Sequence, residues 1–341
     1  MSNKSIALRV SESSAAGEAR RVAMGMAENI GFGPVKTGEV GIIVSEMATN
    51  LWRHAGHGEI ILREVTELGQ TPASTPDRGM EILSIDKGPG MADVEKCLRD
   101  GYSTGGSAGI GLGAVARLST SSEIYSRPEK GTVCLSMVWK NPRPRLSNVR
   151  SIGAICVPVK EEAVCGDAWA EKFGESGQQL LLVDGLGHGF GAASAADVAI
   201  KVFQEKELNA KEMIEALNSA LKNTVGAVVG LAEITPRGRI FSFIGLGNIA
   251  GKIITGENRK NLLSRNGTVG LALPVIRQEE YSWSNDSLLI LHSDGVSSRW
   301  DLENYPGLAA RHPSIIAGVL YRDHRRERDD ASIIVMRELS G

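Results

Sequence analysis

The chain has 341 residues, 42% hydrophobic and 23% charged, a balance that suits a globular protein long enough for two ordinary domains. Its formal net charge of -2 at pH 7 supplies no overall basic field, so the expected partners include no nucleic acid and no membrane.

Ile6–Val10 has the pattern of a short strand. Residues 18–30 have helical spacing through Ala19, Val22, Ala23, Met26 and Ile30, with Gly31 placed to end the helix. Residues 40–54 predict an amphipathic helix whose apolar stripe is Ile43, Val44, Met47, Ala48 and Leu51. Glu46 and Asn50 are four apart, so both project from one face of it. A strand over 59–65, a polar loop over 68–79 and a strand over 81–85 follow. The last ends in Asp86-Lys-Gly88-Pro-Gly90, where a strand-end carboxylate could accept a base's exocyclic amine while the chain turns tightly around the ring.

Residues 101–113 hold Gly101, Gly105, Gly106, Gly109, Gly111 and Gly113, just before a helical stretch over 114–119. Glycine costs about 0.5–1 kcal/mol against alanine in a helix or strand interior, so such a run implies bare backbone close to a ligand. N–H groups converging at a helix start favour phosphate. There is no Gly-Lys-Ser/Thr, which excludes a Walker A loop. Gly109-x-Gly111-x-Gly113 follows a polar loop and not the first strand of a βαβ unit, which disfavours a dinucleotide fold. Residues 123–125 and 132–139 read as a closing hairpin.

Alone, Glu46 with Asn50 is what many surface helices carry, and Asp86 opens an ordinary turn. Together Glu46/Asn50, Asp86/Gly88/Gly90, the glycine run and Gly131-Thr132 stand in the order of the GHKL ATP-binding fold. Residues 1–140 resemble the small serine kinases of bacterial partner-switching systems, especially the stressosome switch kinase. The resemblance implies that Asn50 holds Mg²⁺ against the phosphates of ATP and that Glu46 polarises or deprotonates the attacking hydroxyl. It further implies that Asp86, with Gly88, Gly90 and Thr132, receives adenine, and that Gly105, Gly106, Gly109, Gly111 and Gly113 close over the triphosphate. His54 and His57 read as an exposed helix end.

Residues 141–150 contain Pro142, Pro144 and three arginines, a semi-rigid linker by composition. Beyond it, strands are expected over 152–159, 179–184, 227–234, 239–244, 249–255, 287–292 and 332–336. Helices are expected between 191 and 224 and near 313–321. Runs of strands broken by a helix pair predict an α+β layered sandwich. Asp184, Asp294 and Asp329 each lie beside a buried-looking strand. Carboxylates without His or Cys companions suit hard cations such as Mn²⁺ or Mg²⁺.

Residues 151 to about 339 resemble the PPM family of metal-dependent Ser/Thr phosphatases, in the branch of the sporulation and stressosome phosphatases. That resemblance implies a two-ion site in which Asp184 bridges the metals with help from the Gly185 carbonyl, Asp294 and Asp329 complete the ligands of the first ion, and Asp167 serves the second. It places Asp330 as a neighbour. No arginine stands out to bind the incoming phosphate. His188 reads either as a general acid or as part of a structural Gly-His-Gly turn.

The expected architecture is α+β in two domains: a GHKL ATPase-type α/β sandwich (1–140), the linker (141–150) and a PPM-type α-β-β-α phosphatase (151–341). The expected function is bifunctional, phosphorylating a STAS-domain antagonist on Ser or Thr and dephosphorylating it. The alternative is an anti-sigma-type module that uses ATP to sequester a sigma-factor regulator, fused to an active phosphatase. Association with a downstream phosphatase and homodimerisation stay open. The cysteines (Cys97, Cys134, Cys156, Cys165) include no C-x-x-C pair, which reads as buried thiols in the cytoplasm. No apolar run reaches the ~18 residues of a membrane span.

Overall fold

The computed structural model describes residues 4–67, 77–98, 111–141, 151–174, 177–235 and 240–337. Residues 142–150 of the expected linker (141–150) and the glycines Gly101, Gly105, Gly106 and Gly109 lie outside them. Two compact units result. One comprises Ser5–Leu146 together with Leu302–Arg322; the other is built from Ser147–Asp301 and Asp323–Gly341, joined by Lys4, whose Nζ pairs with Asp197 Oδ1 at 3.0 Å. The segment 302–322, which chain order assigns to the second half, thus belongs with the first.

The N-terminal unit contains β1 (Ile6–Val10), α1 (Ser13–Ile30), α2 (Pro34–Asn50), β2 (Gly58–Glu67), β3 (Asp77–Ile85), the short α3 (Val94–Cys97), α4 (Gly111–Leu118), β4 (Ser121–Ser126) and β5 (Thr132–Trp139). The sheet order is β1-β2-β3-β5-β4, antiparallel throughout. On α1 the row Ala19, Ala23, Ala27, Ile30 is buried, and Gly31 ends the helix in the left-handed region at φ 89°. Small residues on this row suit a close crossing: a Cβ on Gly41 of α2 would stand 2.9 Å from Met24 Sδ.

Helix α2 begins six residues before the sequence pattern placed it. Pro34 occupies its first turn, where a missing N–H costs nothing, but Gly38 and Gly41 obscure the periodicity there. The helix ends at Asn50, and Leu51–Ala55 widen into a π-helical turn, a local form frequent at functional sites. Similarly, β3 begins at Asp77, inside the stretch read as loop. Ile60, Leu62, Met80, Ile82, Cys134 and Val138 pack with α1, α2 and α4 residues on one sheet face. Ile61, Leu83, Ile85, Val133 and Leu135, at alternate positions, are buried as well.

In the C-terminal unit, β6 (Ser151–Val157), β7 (Asp167–Gly174), β8 (Gly177–Gly185), α5 (Phe190–Glu205), α6 (Ala210–Leu221), β9 (Ala227–Ile234), β10 (Ile240–Leu246), β11 (Ala250–Thr255), β12 (Asn258–Leu262), β13 (Ser264–Arg265), β14 (Glu279–Ser282), β15 (Leu288–His292) and β16 (Ala331–Arg337) form two sheets and a helix pair; α7 (Pro313–His324) runs through the transferred segment. One sheet runs β13-β10-β9-β8-β7, with β14 on β10, and the other β12-β11-β15-β16-β6. Their facing residues, among them Trp169, Leu180, Phe241, Phe243, Leu291 and Ile334, make one core. A second core packs α5 and α6 on the outer face of the first sheet. A capping box, Asn209 with Glu212, starts α6.

Strand β7 was hidden in the sequence. Its Ala168 and Ala170 on one face and Trp169 on the other are all buried, then give way to Glu171 and Lys172, so neither period stands out over enough residues. Three of the four cysteines are buried, but Cys97 is half-buried.

Candidate functional site

Two sites emerge, one in each unit. In the first, Glu46 and Asn50 lie one turn apart at the C-terminal end of α2, both half-buried. A Cβ built on Gly111, the first residue of α4, would stand 2.6 Å from Glu46 Oε2. Any side chain there would displace the carboxylate, so this glycine keeps Glu46 uncovered. Gly113 is buried within α4.

Asp86, at the end of β3, is held by backbone. Its Oδ1 accepts from Gly88 N (2.8 Å) and Thr132 N (3.1 Å). Burial raises its pKa above the usual carboxylate range, and these two N–H donors oppose the rise. The surrounding glycines are forced by close approach. A Cβ on Gly131 (φ 78°) would stand 2.0 Å from the Asp86 carbonyl oxygen, one on Gly90 (φ 66°) 2.0 Å from Arg127 O, and one on Gly88 2.6 Å from Ala55 Cβ. Ser126, which sequence reading missed, ties the turn together: its Oγ accepts from Met91 N (2.8 Å) and lies 2.9 Å from Thr132 Oγ1. A serine on an edge strand carries no signal of that role. His54 and His57 are exposed.

The second site sits at adjoining strand ends. Asp167 and Asp184 are direct partners across β7 and β8. Asp294 follows β15 and Asp329 precedes β16, and those strands pair antiparallel. Ser293 stitches the sheets: its Oγ donates to Asp167 Oδ2 (2.7 Å) and accepts from Ser332 N (3.1 Å). Asn248 Nδ2 donates to Asp294 Oδ2 (2.6 Å). Ser293 and Asn248 were also missed; Ser293 adjoins the Asp-Gly pair, whereas Asn248 lies in a turn far along the chain. Gly185 packs so closely that a Cβ would stand 2.3 Å from Ala192 O.

Burial, then the charges of Asp167, Asp294 and Asp329, push the Asp184 carboxyl up to about 9. Asp167 is pushed up to about 7, chiefly by burial, against the hydrogen bond from Ser293. Asp329 is raised by burial and by Asp294. Oxygen-only donors that hold protons near neutrality form a site short of positive charge, which suits a hard divalent cation. Among the described residues no three His, Cys, Asp or Glu side chains are already gathered around one point as a metal cage. The fold brings these carboxylates to neighbouring strand ends without closing them.

Asp330 has a different task. Its Oδ1 accepts from Val159 N (2.6 Å) and its Oδ2 from Gly166 N (2.7 Å). Asp330→Asn turns a donor toward one of these N–H groups and lowers stability by about 1.5–3 kcal/mol, read as a fall in melting temperature. Loss of a metal ligand would instead raise the metal concentration required without lowering the metal-free melt. His188 is exposed and its Nδ1 lies 2.8 Å from Glu162 Oε1, a contact that anchors the Gly187-His188-Gly189 turn ahead of α5.

Residues 10–139 match the histidine kinase-like ATPase domain family. The serine/threonine-protein kinase RsbT of Bacillus subtilis is 33% identical over 121 residues, which span 36% of this chain and 86% of RsbT. The chain belongs to the RsbT kinase family. Behind its RsbT-like domain it carries a second one, since residues 174–338 match the stage II sporulation protein E family. That domain is of the PPM phosphatase type. The phosphoserine phosphatase RsbX of B. subtilis is 26% identical over 148 residues, 40% of this chain and 69% of RsbX. A chain solved in work on the bacterial stressosome, a modular system adapted to control secondary messenger signalling, aligns with 55% of this chain and all of its own length, at 26% identity and a TM-score of 0.51. The RsbT-like domain with its PPM-type companion is thus a partner-switching signalling protein. Among the described residues no helix is long and apolar enough to cross a membrane.

Proposed function

We propose that the chain is a bifunctional enzyme that transfers phosphate from ATP to a Ser or Thr of a STAS-domain antagonist and also removes phosphate from such a protein. The observation that carries this reading is the coexistence of two built sites. Glu46 is kept uncovered by Gly111, and four aspartates cluster at the strand ends of the second unit. A module that only bound nucleotide would not need Glu46.

In the first site Asp86 and Thr132 would receive adenine, Asn50 would hold Mg²⁺, and Glu46 would orient and deprotonate the incoming hydroxyl. Phosphoryl transfer needs mainly positioning and charge neutralisation. The catalytic parts of the kinase fall within 1–140 and those of the phosphatase within 151–341. In the second site Asp167, Asp184, Asp294, Asp329 and the Gly185 carbonyl would hold two Mn²⁺ or Mg²⁺ ions, which when bound screen phosphate charge and activate water. Ser293 and Asn248 orient two of those carboxylates.

The test is to incubate the chain with ATP, Mg²⁺, Mn²⁺ and a STAS protein encoded nearby in its genome, and to follow phosphoprotein on a phosphate-sensitive gel. Phosphoprotein should form and then decay as ATP is exhausted. Nucleotide binding without any phosphoprotein, even with Asp184→Ala in full Mg²⁺, would sink the kinase half of the proposal.

A further inference from the structure

The segment Leu302–Arg322 of the N-terminal unit lies in sequence between Asp294 and Asp329. Its contacts run along the sheet of the RsbT-like domain. Arg127 Nη1 donates to Asn304 O (2.8 Å) and Tyr125 Oη to Pro306 O (3.3 Å). Glu123 accepts from His312 N (3.1 Å), Ser314 Oγ donates to Glu81 Oε2, and Tyr321 Oη donates to Glu59 Oε2 (2.8 Å). Glu81 already forms a two-pronged pair with Arg63 (3.1 and 2.9 Å), and the two side chains are 2% and 5% exposed. A charged pair so deeply covered needs its remaining hydrogen-bonding capacity met, and the Ser314 hydroxyl helps meet it. The match is specific and not merely apolar cover.

The middle of α7 packs on the sheet face opposite α1 and α2, against the chain neighbours of the nucleotide-pocket residues. A Cβ on Gly318 would stand 2.8 Å from Val133 Cγ1 and 3.6 Å from Ile85 Cδ1. Val133 and Ile85 are the chain neighbours of Thr132 and Asp86. The charge of Arg322 also acts on Asp86.

The two ends of the segment are clasped beside the aspartates of the other site. Val296 bridges Arg325, Ser297 N donates to His324 O (2.9 Å) and Arg326 N donates to Gly295 O (2.7 Å). A Cβ on Gly295 would stand 1.8 Å from Asp330 O. This neck draws together the chain on either side of the segment, next to Asp294 and close to Asp329.

We propose that the adenine pocket doubles as an effector site for the phosphatase: nucleotide seated on Asp86 and Thr132 resets the carboxylates Asp294 and Asp329 through Leu302–Arg322. The inference rests on the readings of both sites given above. Nucleotide orders the β3 end and β5 start, against which Gly318 packs, and a tightly packed contact of that kind passes on a shift of its partner.

The test uses the full chain and p-nitrophenyl phosphate, a substrate that needs no kinase step. Free Mn²⁺ is buffered, AMP-PNP is the nucleotide, and its binding is measured independently by displacement of a fluorescent ADP. Saturating AMP-PNP should change turnover about fivefold or more and alter deuterium uptake at the amides of Ser297 and Arg326. In Tyr321→Phe, and more strongly in Ser314→Ala/Tyr321→Phe, nucleotide should still bind while both responses shrink; the single variant serves where the double one melts. Nucleotide that binds without changing turnover or neck exchange overturns the inference and leaves both site readings standing. Absence of nucleotide binding, or of Mn²⁺-dependent turnover, overturns the corresponding site reading and the inference with it.

Discussion

Asp184→Ala is expected to reduce phosphate release from a phosphorylated partner by at least about 100-fold, since altering even a residue that only supports a metal ligand costs 10–100-fold. With ATP present, phosphoprotein should then accumulate, because the first site still supplies it. The same cluster predicts a pH effect in the chelated protein. Asp167 and Asp184 are raised to about 7 and about 9, above the ordinary value of about 3.9. Each carboxyl therefore binds more protons folded than unfolded over the interval between. Stability is greatest below that interval and falls as pH rises, until about 7 for Asp167 and about 9 for Asp184. Mn²⁺ should oppose this fall, since it binds the deprotonated carboxylates. At about 100 times its dissociation constant it should add about 2.7 kcal/mol, a rise of roughly 5–10 °C in melting temperature. The expected scans show a metal-free melting temperature dropping from pH 5 to pH 8 and a Mn²⁺ increment that grows over the same range. An increment independent of pH would mean that these aspartates do not take up the ion.

The sequence made the order of elements legible because each carries its own signal. The Ile43–Leu51 stripe, Gly31 after α1 and the alternation of β5 are local facts, and local facts survive folding. The same holds for Asp184, Asp294 and Asp329, which sit beside uninterrupted apolar strands. What was not legible depends on contacts between distant parts of the chain. Ser126, Ser293 and Asn248 act by hydrogen bonds across strands, and serine or asparagine at a strand edge or turn is too common to mark. Gly111 looked like one more member of a glycine run, yet its distinction is its position against Glu46. The hardest case was Leu302–Arg322. The helix in it was expected, but its attachment to the RsbT-like sheet is written in single polar partners, Ser314 with Glu81 and Tyr321 with Glu59, and in a glycine at 318. No periodicity announces which of two units an apolar helix will join.

Glu46→Ala should abolish phosphorylation of the partner while leaving nucleotide bound. A positioned general base contributes about 10²–10⁴-fold, and the carboxylate lies on α2, one turn from Asn50, whereas Asp86 lies at the end of β3. The two losses are therefore separable: Asp86→Ala should weaken nucleotide binding if Asp86 receives adenine as proposed, whereas Glu46→Ala should lower the transfer rate at saturating ATP. Glu46→Gln keeps the shape beside Gly111 but loses the proton acceptor, so it should fall with the alanine variant if the carboxylate acts as a base. If Glu46 only orients the hydroxyl through a hydrogen bond, glutamine should recover much of the rate. Gly111→Ala supplies the converse case, because its methyl group would meet Glu46 Oε2 at 2.6 Å. It should slow transfer by displacing an intact carboxylate, with nucleotide affinity changed far less than the rate. A single-turnover measurement at saturating ATP separates these outcomes. If Glu46→Ala retains most of the transfer rate, the first site works without this carboxylate and the phosphoryl acceptor must be activated from elsewhere.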